Sequence, residues 1–477
     1  MIKQITKVNL RSLSEIKNKI LKRGGFILWS VSVLLISYLV QLNLAVALFL
    51  ISLCVYMKFR RQNIKNYNLL NLTLLFLISF VSSCLIIKRG LPIFYVPFSV
   101  IPMLTILLFN NLEIALLITL ANSVSAASVT NISFQFGLLS LISGICSIIL
   151  VRGARRRTTV ISSGFIVGIT QVVSLIFIDR FWFGLPNRYL ILILNGIVSS
   201  IIVLGILPVF EYLFSTVTNI SLLELADFNH PLLQRMTLEA PGTYHHSLIV
   251  GNLSETACAA VGANALLARI GAYYHDIGKL QKPSYFSENQ EVKESKHDTL
   301  SPTMSKLIIM NHVKEGVELA KKYKLKPALI DFILQHHGDS LVYYFYRRAL
   351  ETLEEDQEVK EEGFRYPGPK PDTKETAIVL LADSVEAATR ALKEPAPAKI
   401  EELVHKVINN KFIDGQLDEC DLTLKDLEKI SSVFIRILSG IYHSRVNYPE
   451  ESRSENNHKK FPKEDSRLSD KDKKGNS

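Results

Sequence analysis

The chain has five cysteines in 477 residues, and no two of them stand in a Cys-x-x-Cys spacing. Cys54, Cys84 and Cys146 fall in apolar runs, while Cys258 and Cys420 lie far apart beyond them, which argues against a disulfide framework or a thiolate zinc site. Acidic residues are scarce early in the chain: the first 220 positions hold 4 Asp+Glu against 19 Lys+Arg. Of the totals of 44 and 54, residues 221–477 keep 40 acids and 35 bases, so the net charge of +10 arises entirely in the first stretch. A basic balance confined to an apolar stretch is not the footprint of a nucleic-acid binder, and no nucleic-acid polymer is expected as a partner.

Length implies two or three modules. With 48% hydrophobic and 21% charged residues and a mean hydropathy of +0.23, the average is too apolar for a soluble enzyme or a disordered chain, so a membrane portion dilutes a soluble one. Apolar stretches recur at 26–40, 44–58, 69–87, 91–109, 112–129, 134–151, 158–178 and 189–214, which reads as about eight spans in a lipid bilayer. Fused, the first two would make roughly 50 Å of helix against a hydrocarbon core of ~30 Å, so two short spans hinged at Gln41 and Asn43 fit better. The first run leads straight into others with no small-residue cleavage site after a polar gap, so no cleavable signal peptide is expected.

Lys3, Lys7, Arg11, Lys17, Lys19, Lys22 and Arg23 against Glu15 place segment 1–25 in the cytoplasm, and an even span number returns the chain there after Phe214. Arg60, Arg61, Lys65 and the arginines at 152 and 155–157 agree; Lys88, Arg89, Arg180 and Arg188 do not. Within the spans only Glu113 and Glu211 are acidic, both toward span ends, and no Asp, His or Lys chain marks an ion path. That disfavours a transporter and leaves two readings for this half, an anchor that allows a homodimer or a signal-receiving bundle.

All eleven histidines lie beyond residue 229. Segments 248–260, 263–274, 302–311, 327–335, 375–392 and 424–442 carry helical apolar spacing, with breaks expected at Gly242, Gly278, Gly338 and the run 367–371, and no strand alternation competes. The expected class is all-α: a polytopic membrane bundle (26–214), a helical linker (215–238), a helical catalytic module (239–446) and a polar tail (447–477) that cannot bury a core.

His275-Asp276 closes an apolar helix, and a terminal turn lets an imidazole and a neighbouring carboxylate face one ion. Its company is His246, His312, the pair His336-His337, and Asp383 following the wholly apolar Ala377–Ala382. A carboxylate on a core helix needs a cation or a proton. Five imidazoles and two carboxylates without a thiolate suit Fe or Mn, with Zn left open. His245, beside His246, points to another side of its helix; Lys279 reads either as a phosphate clamp or as a helix-end lysine, and His297 either as a phosphate contact or as a bystander.

The strings Glu239–Ser247, Tyr274–Lys279, His336–Gly338, Phe364–Pro371 and Leu381–Ala388 resemble the HD-domain phosphohydrolases, and more closely the seven-transmembrane receptors with an HD hydrolase domain. The resemblance covers about residues 26–445. It implies cyclic di-AMP hydrolysis to the linear 5′-phosphorylated dinucleotide by the cytoplasmic module of a multi-pass cell-membrane protein. It also implies two metal ions, one held by His246, His275, Asp276 and Asp383 and the second by His312, His336 and His337, with Asp276 bridging. Asp276 and Lys279 are then the catalytic residues, with Lys279 and His297 as substrate contacts. The sequence departs from the family at residues 41–43, where relatives carry an extracytoplasmic domain. The Gly-Tyr-Pro branch is disfavoured because Gly338-Asp339-Ser340-Leu341 follows the paired histidines. Two rivals remain: a receptor that binds a nucleotide without cutting it, distinguished by incomplete ligands, and a one-metal nucleotide phosphohydrolase, which would not need His312, His336 and His337.

Overall fold

The computed structural model describes residues 69–128, 133–179, 187–290, 295–352 and 359–442. The basic segment 1–25, the first two expected spans and the tail 447–477 lie outside the described residues. Among these residues every extended element is a helix, and strand geometry is limited to one bridge between Leu341 and Arg365.

The membrane half comprises α1 (Leu69–Lys88), α2 (Val100–Phe109), α3 (Leu112–Ser128), α4 (Ser133–Val151), α5 (Arg157–Ile178) and α6 (Asn187–Phe214). Among the described residues three helical segments, Phe134–Val151, Arg157–Ile178 and Asn187–Phe214, are long and apolar enough to cross a membrane. Stretch 91–109 is not the single helix its hydropathy suggested. Pro92 and Pro97 lack the N–H groups that a continuous helix uses, so the chain makes a short 3-10 turn at Ile93–Tyr95 before the ten residues of α2. The carbonyls left without helical donors at Phe94 and Val96 accept from the Nδ2 of Asn195, reaching across from α6 at 3.0 and 2.8 Å. In an apolar medium such carbonyls must be satisfied internally.

Beyond α6 a polar junction leads into the second half of the chain. Buried Glu211 accepts from the backbone N–H and hydroxyl of Thr218 and from the hydroxyl of Ser221. Thr218 caps α7 (Asn219–Leu225) by accepting from the Ser221 amide. At the other end of α7 the Leu225 carbonyl accepts from the hydroxyl of buried Tyr274 at 2.6 Å.

The soluble half continues with α8 (Pro231–Glu239), α9 (Pro241–Val261), α10 (Ala265–Tyr274), a 3-10 turn (Ile277–Gln281), α11 (Pro302–Lys322), α12 (Pro327–Gln335), α13 (Tyr343–Glu351), α14 (Lys374–Arg390), α15 (Pro397–Ile413) and α16 (Leu424–Ile441). At its centre α14 has residues Ala377–Ala382 fully enclosed, packed by α9, α10 and α16; a stretch apolar all round must be covered on every side. Capping boxes at Thr373 and Thr423 fix the starts of α14 and α16. Gly242, expected to break the chain, instead lies in the first turn of α9, where Pro241 supplies a compatible φ and a Cβ would meet the Glu288 carbonyl oxygen at 1.8 Å. The helix expected to stop at Asn311 runs on to Lys322 because Val313, Leu319 and Ala320 continue its buried face.

Candidate metal centre

The fold converges seven side chains. α9 carries His246; the end of α10 and the turn after it carry His275 and Asp276; α11 carries His312; the end of α12 carries His336 and His337; α14 carries Asp383. Asp276 has left the helix, with φ −109° and ψ 16°, which allows its carboxylate and the His275 ring to point the same way. The turn after Asp276 lies close against α11: a Cβ on Gly278 would sit 1.8 Å from the His312 carbonyl oxygen. Only glycine permits this approach.

The carboxylate of Asp276 faces two groups at once. Its Oδ2 lies 3.2 Å from His275 Nε2 and 3.8 Å from His246 Nε2. Its Oδ1 lies 3.4 Å from His312 Nε2 and 3.5 Å from His336 Nε2. Asp383 Oδ1 closes the first group at 3.0 Å from His246 Nε2, and its Oδ2 stands 3.6 Å from His337 Nδ1. Donor atoms within 4.8 Å of one another form the sets His246, His275, Asp383 and His312, His336, His337, with His275, Asp276 and His336 between them.

The rings are held from behind. Nδ1 of His275 meets the Ala272 carbonyl at 2.6 Å, that of His312 the Ile309 carbonyl at 2.5 Å, and that of His336 the Ile333 carbonyl at 2.9 Å. A carbonyl can only accept, so each Nδ1 carries a proton and each Nε2 is directed at the centre. His246 is held instead by Glu386, whose Oε2 lies 2.5 Å from its Nδ1. Backing of this kind is what orients histidines on a metal.

A metal fits these donors. His275 Nε2 and Asp276 Oδ1 are buried polar atoms without a hydrogen-bond partner, and His312 Nε2 and His336 Nε2 stand 3.1 Å apart, a separation that calls for a proton or a cation between them. Burial pushes His312 down to about 4 and His337 well below the ordinary range, which keeps both neutral and ready to coordinate. For Asp276 burial acts upward, but Lys279 and His275 outweigh it and hold the carboxyl well below its usual range. The site opens on one side: the His337 side chain is 23% exposed and that of Asp383 10%, against 2% or less for the other five.

Lys279 is half-buried and turned inward rather than extended into solvent. Its ammonium lies 2.7 Å from both Asp276 Oδ2 and Glu288 Oε1, and these two carboxylates raise its proton affinity against the effect of burial. His245 is exposed. His297 is buried apart from the seven: its Nε2 meets the Tyr285 carbonyl at 2.9 Å and its ring packs on Phe345. Sequence reasoning missed Glu386, Glu288 and Tyr366. Glu386 follows Asp383 by three residues, the spacing that shares a helix face, and was legible. Tyr366, stacked on His337 at 4.4 Å between ring centres, comes from a loop and carries no local signal.

Residues 36–218 match the family described as 7TM receptor with intracellular HD hydrolase, and residues 243–388 match the HD domain. The Cyclic-di-AMP phosphodiesterase PgpH of Bacillus subtilis (strain 168) is 41% identical over 406 residues, 83% of this chain and 56% of that protein. Its namesake from Listeria monocytogenes serotype 1/2a (strain 10403S) is 43% identical over 317 residues, 65% of this chain and 44% of that one. The chain thus spans about half the length of the curated relatives it matches. A crystal structure of the L. monocytogenes PgpH HD domain in complex with cyclic-di-AMP is 48% identical, with a TM-score of 0.44, covering 45% of this chain and 100% of its own.

Proposed function

This chain belongs to the family of seven-transmembrane receptors with an intracellular HD hydrolase domain, and from that premise we propose that it is a membrane-anchored, metal-dependent phosphodiesterase that hydrolyses cyclic di-AMP. The observation that carries the proposal is the disposition of Asp276, with one oxygen toward His246 and His275 and the other toward His312 and His336. Adenine as the base rests on the names of the relatives.

When bound, two divalent ions, Fe or Mn by donor type, supply the Lewis acidity that lowers the pKa of water and offsets phosphate charge. His246, His275, Asp276 and Asp383 would hold one ion, and His312, His336 and His337 a second, with Asp276 available to both. Lys279 fixes Asp276 and Glu288 with two of its N–H donors and keeps the third for a phosphate oxygen. Water attacks phosphorus in line with the departing 3′ oxygen; the P–O3′ bond breaks, the 3′ oxygen takes a proton, and the linear dinucleotide leaves with a 5′ phosphate. In the same reading, residues 26–214 form eight spans, 215–238 the linker and 239–446 the HD module, which shares the cytoplasmic side with the N-terminal segment.

The test is full-length protein in detergent, loaded with Mn or Fe, given cyclic di-AMP and cyclic di-GMP in turn, with products separated by chromatography. Linear 5′-phosphorylated di-AMP is expected. Tight binding of cyclic di-AMP without turnover under either metal would overturn hydrolysis in favour of a nucleotide receptor.

A further inference from the structure

Four cationic side chains gather around Asp276 and the segment that follows His336-His337, and three of them are committed to carboxylates. Lys279 has Asp276 and Glu288; Arg365 has Glu361 and Asp414 at 2.7 and 2.8 Å; Lys370 has Asp339 and Asp418 at 3.8 and 3.7 Å. Lys411, in the last turn of α15, is different. Its Nζ donates to the Ser340 hydroxyl at 2.8 Å, and none of the described carboxylates comes within 4.0 Å of it.

Its position is beside the open edge of the metal centre. Ser340 donates its backbone N–H to the His337 carbonyl at 3.1 Å, and its own carbonyl accepts from the Tyr366 amide at 3.0 Å. Tyr366 in turn stacks on His337, the most exposed of the seven proposed ligands. Gln416 locks the end of α15 to the same segment, accepting from the Asp339 amide at 3.1 Å and donating to Asp339 Oδ1 at 2.6 Å. Among the carboxylates acting on the Lys411 charge, that of Asp383 is the strongest.

A lysine near a helix C-terminus ordinarily extends into water, where it complements the helix dipole. Here the side chain is half-buried and turned onto a serine, and burial lowers its proton affinity by more than Asp383, Asp414 and Asp339, none of them in contact with it, raise it. An ammonium withdrawn from water with no carboxylate in contact keeps N–H donors to offer, and the partner that fits them beside the open edge is an anion that arrives from outside. We propose that Lys411 is a substrate contact, its ammonium donating to a non-bridging oxygen of the phosphodiester seated at the His337–Asp383 edge. The assignment rests on the phosphodiesterase reading for its substrate, though not for its ligand class, which is a phosphate oxygen.

The experiment compares full-length wild type, Lys411→Met and Lys411→Arg for bound metal, for kcat/KM on cyclic di-AMP, and for the affinity of the Mn-loaded protein for inorganic phosphate. The methionine variant should keep its metal and lose kcat/KM on the order of 10- to 100-fold, the size of a hydrogen bond to a charged group, with a parallel loss of phosphate affinity. Arginine should recover most of both. If wild type cleaves no cyclic dinucleotide, the phosphodiesterase reading fails, and the Lys411 site is judged on phosphate affinity alone. A methionine variant within twofold of wild type in both measurements, or one that loses its metal, would overturn the assignment.

Discussion

Glu386 offers the sharpest test of how the metal centre is held. Its side chain is 1% exposed, and its Oε2 accepts from His246 Nδ1 while Oε1 stands 3.7 Å from Arg390. Carboxylates that back a metal-bound histidine are worth 10- to 100-fold in metal affinity, which at about 1.36 kcal/mol per tenfold is about 1.4–2.7 kcal/mol. Glu386→Gln keeps an acceptor but loses the charge and should fall near the lower bound. Glu386→Ala frees the ring as well and should approach the upper one. Burial disfavours the charged His246 ring, but hydrogen bonds that it donates to Asp383 and Glu386 outweigh this and raise its proton affinity. Protons therefore compete with metal at His246 more strongly in wild type than in the variants, so the wild-type advantage should shrink as pH falls. The assay is a competition titration of chelator-stripped full-length protein with Mn at several pH values, followed by turnover at rising free metal. Excess metal should restore activity, because binding shifts the equilibrium by mass action. Wild-type affinity in the alanine variant would refute the reasoning, and lost turnover that no metal concentration rescues would assign Glu386 to the chemistry instead.

Three further outcomes are expected. Asp276→Ala should reduce turnover to background and weaken both metal positions together, since His275 and His312 face opposite oxygens of that carboxylate; metal analysis finding two ions and near-normal turnover would sink the bridging role. Gly278→Ala forces a methyl against the His312 carbonyl and should cost about 1–3 kcal/mol of stability, read as a lowered Tm with weakened metal binding; an unchanged Tm would contradict the close approach. Reporter fusions after Lys65 and after Arg157 should both give cytoplasmic signals, and a signal from the opposite side at either point would refute the eight-span arrangement.

The five histidines of the proposed set were legible because histidine occurs only beyond residue 229 and recurs there with helix ends and apolar runs beside it. Asp383 stood out because six apolar residues precede it, and the fold places that run at the centre of the module. What the pattern could not carry was partnership across long separations. The tie between Lys411 and Ser340 joins residues 71 apart, and α15 itself was overlooked because its buried face is only Ile400, Val404 and Ile408 among charged neighbours. Gly242 misled because glycine marks breaks and close approaches alike; only its partner, the Glu288 carbonyl, distinguishes the two. In the membrane half, hydropathy averaged over stretch 91–109 concealed the local effect of Pro92 and Pro97.

The hydroxyl of Tyr274 resting on the Leu225 carbonyl bears on anyone who trims this protein to its soluble part. α7 has seven residues, too few to hold a helix unaided, and it is fixed at its start by Thr218 and at its end by that one hydroxyl. A fragment begun at Ser221 discards the cap, and one begun after Leu225 discards both the acceptor and the helix packed over Tyr274, uncovering the residue before His275. Fragments cut a few residues apart should therefore differ in stability near His275, which their Tm and bound metal would report. Rate differences between trimmed and intact protein would then report the damaged linker as much as any influence of the bilayer.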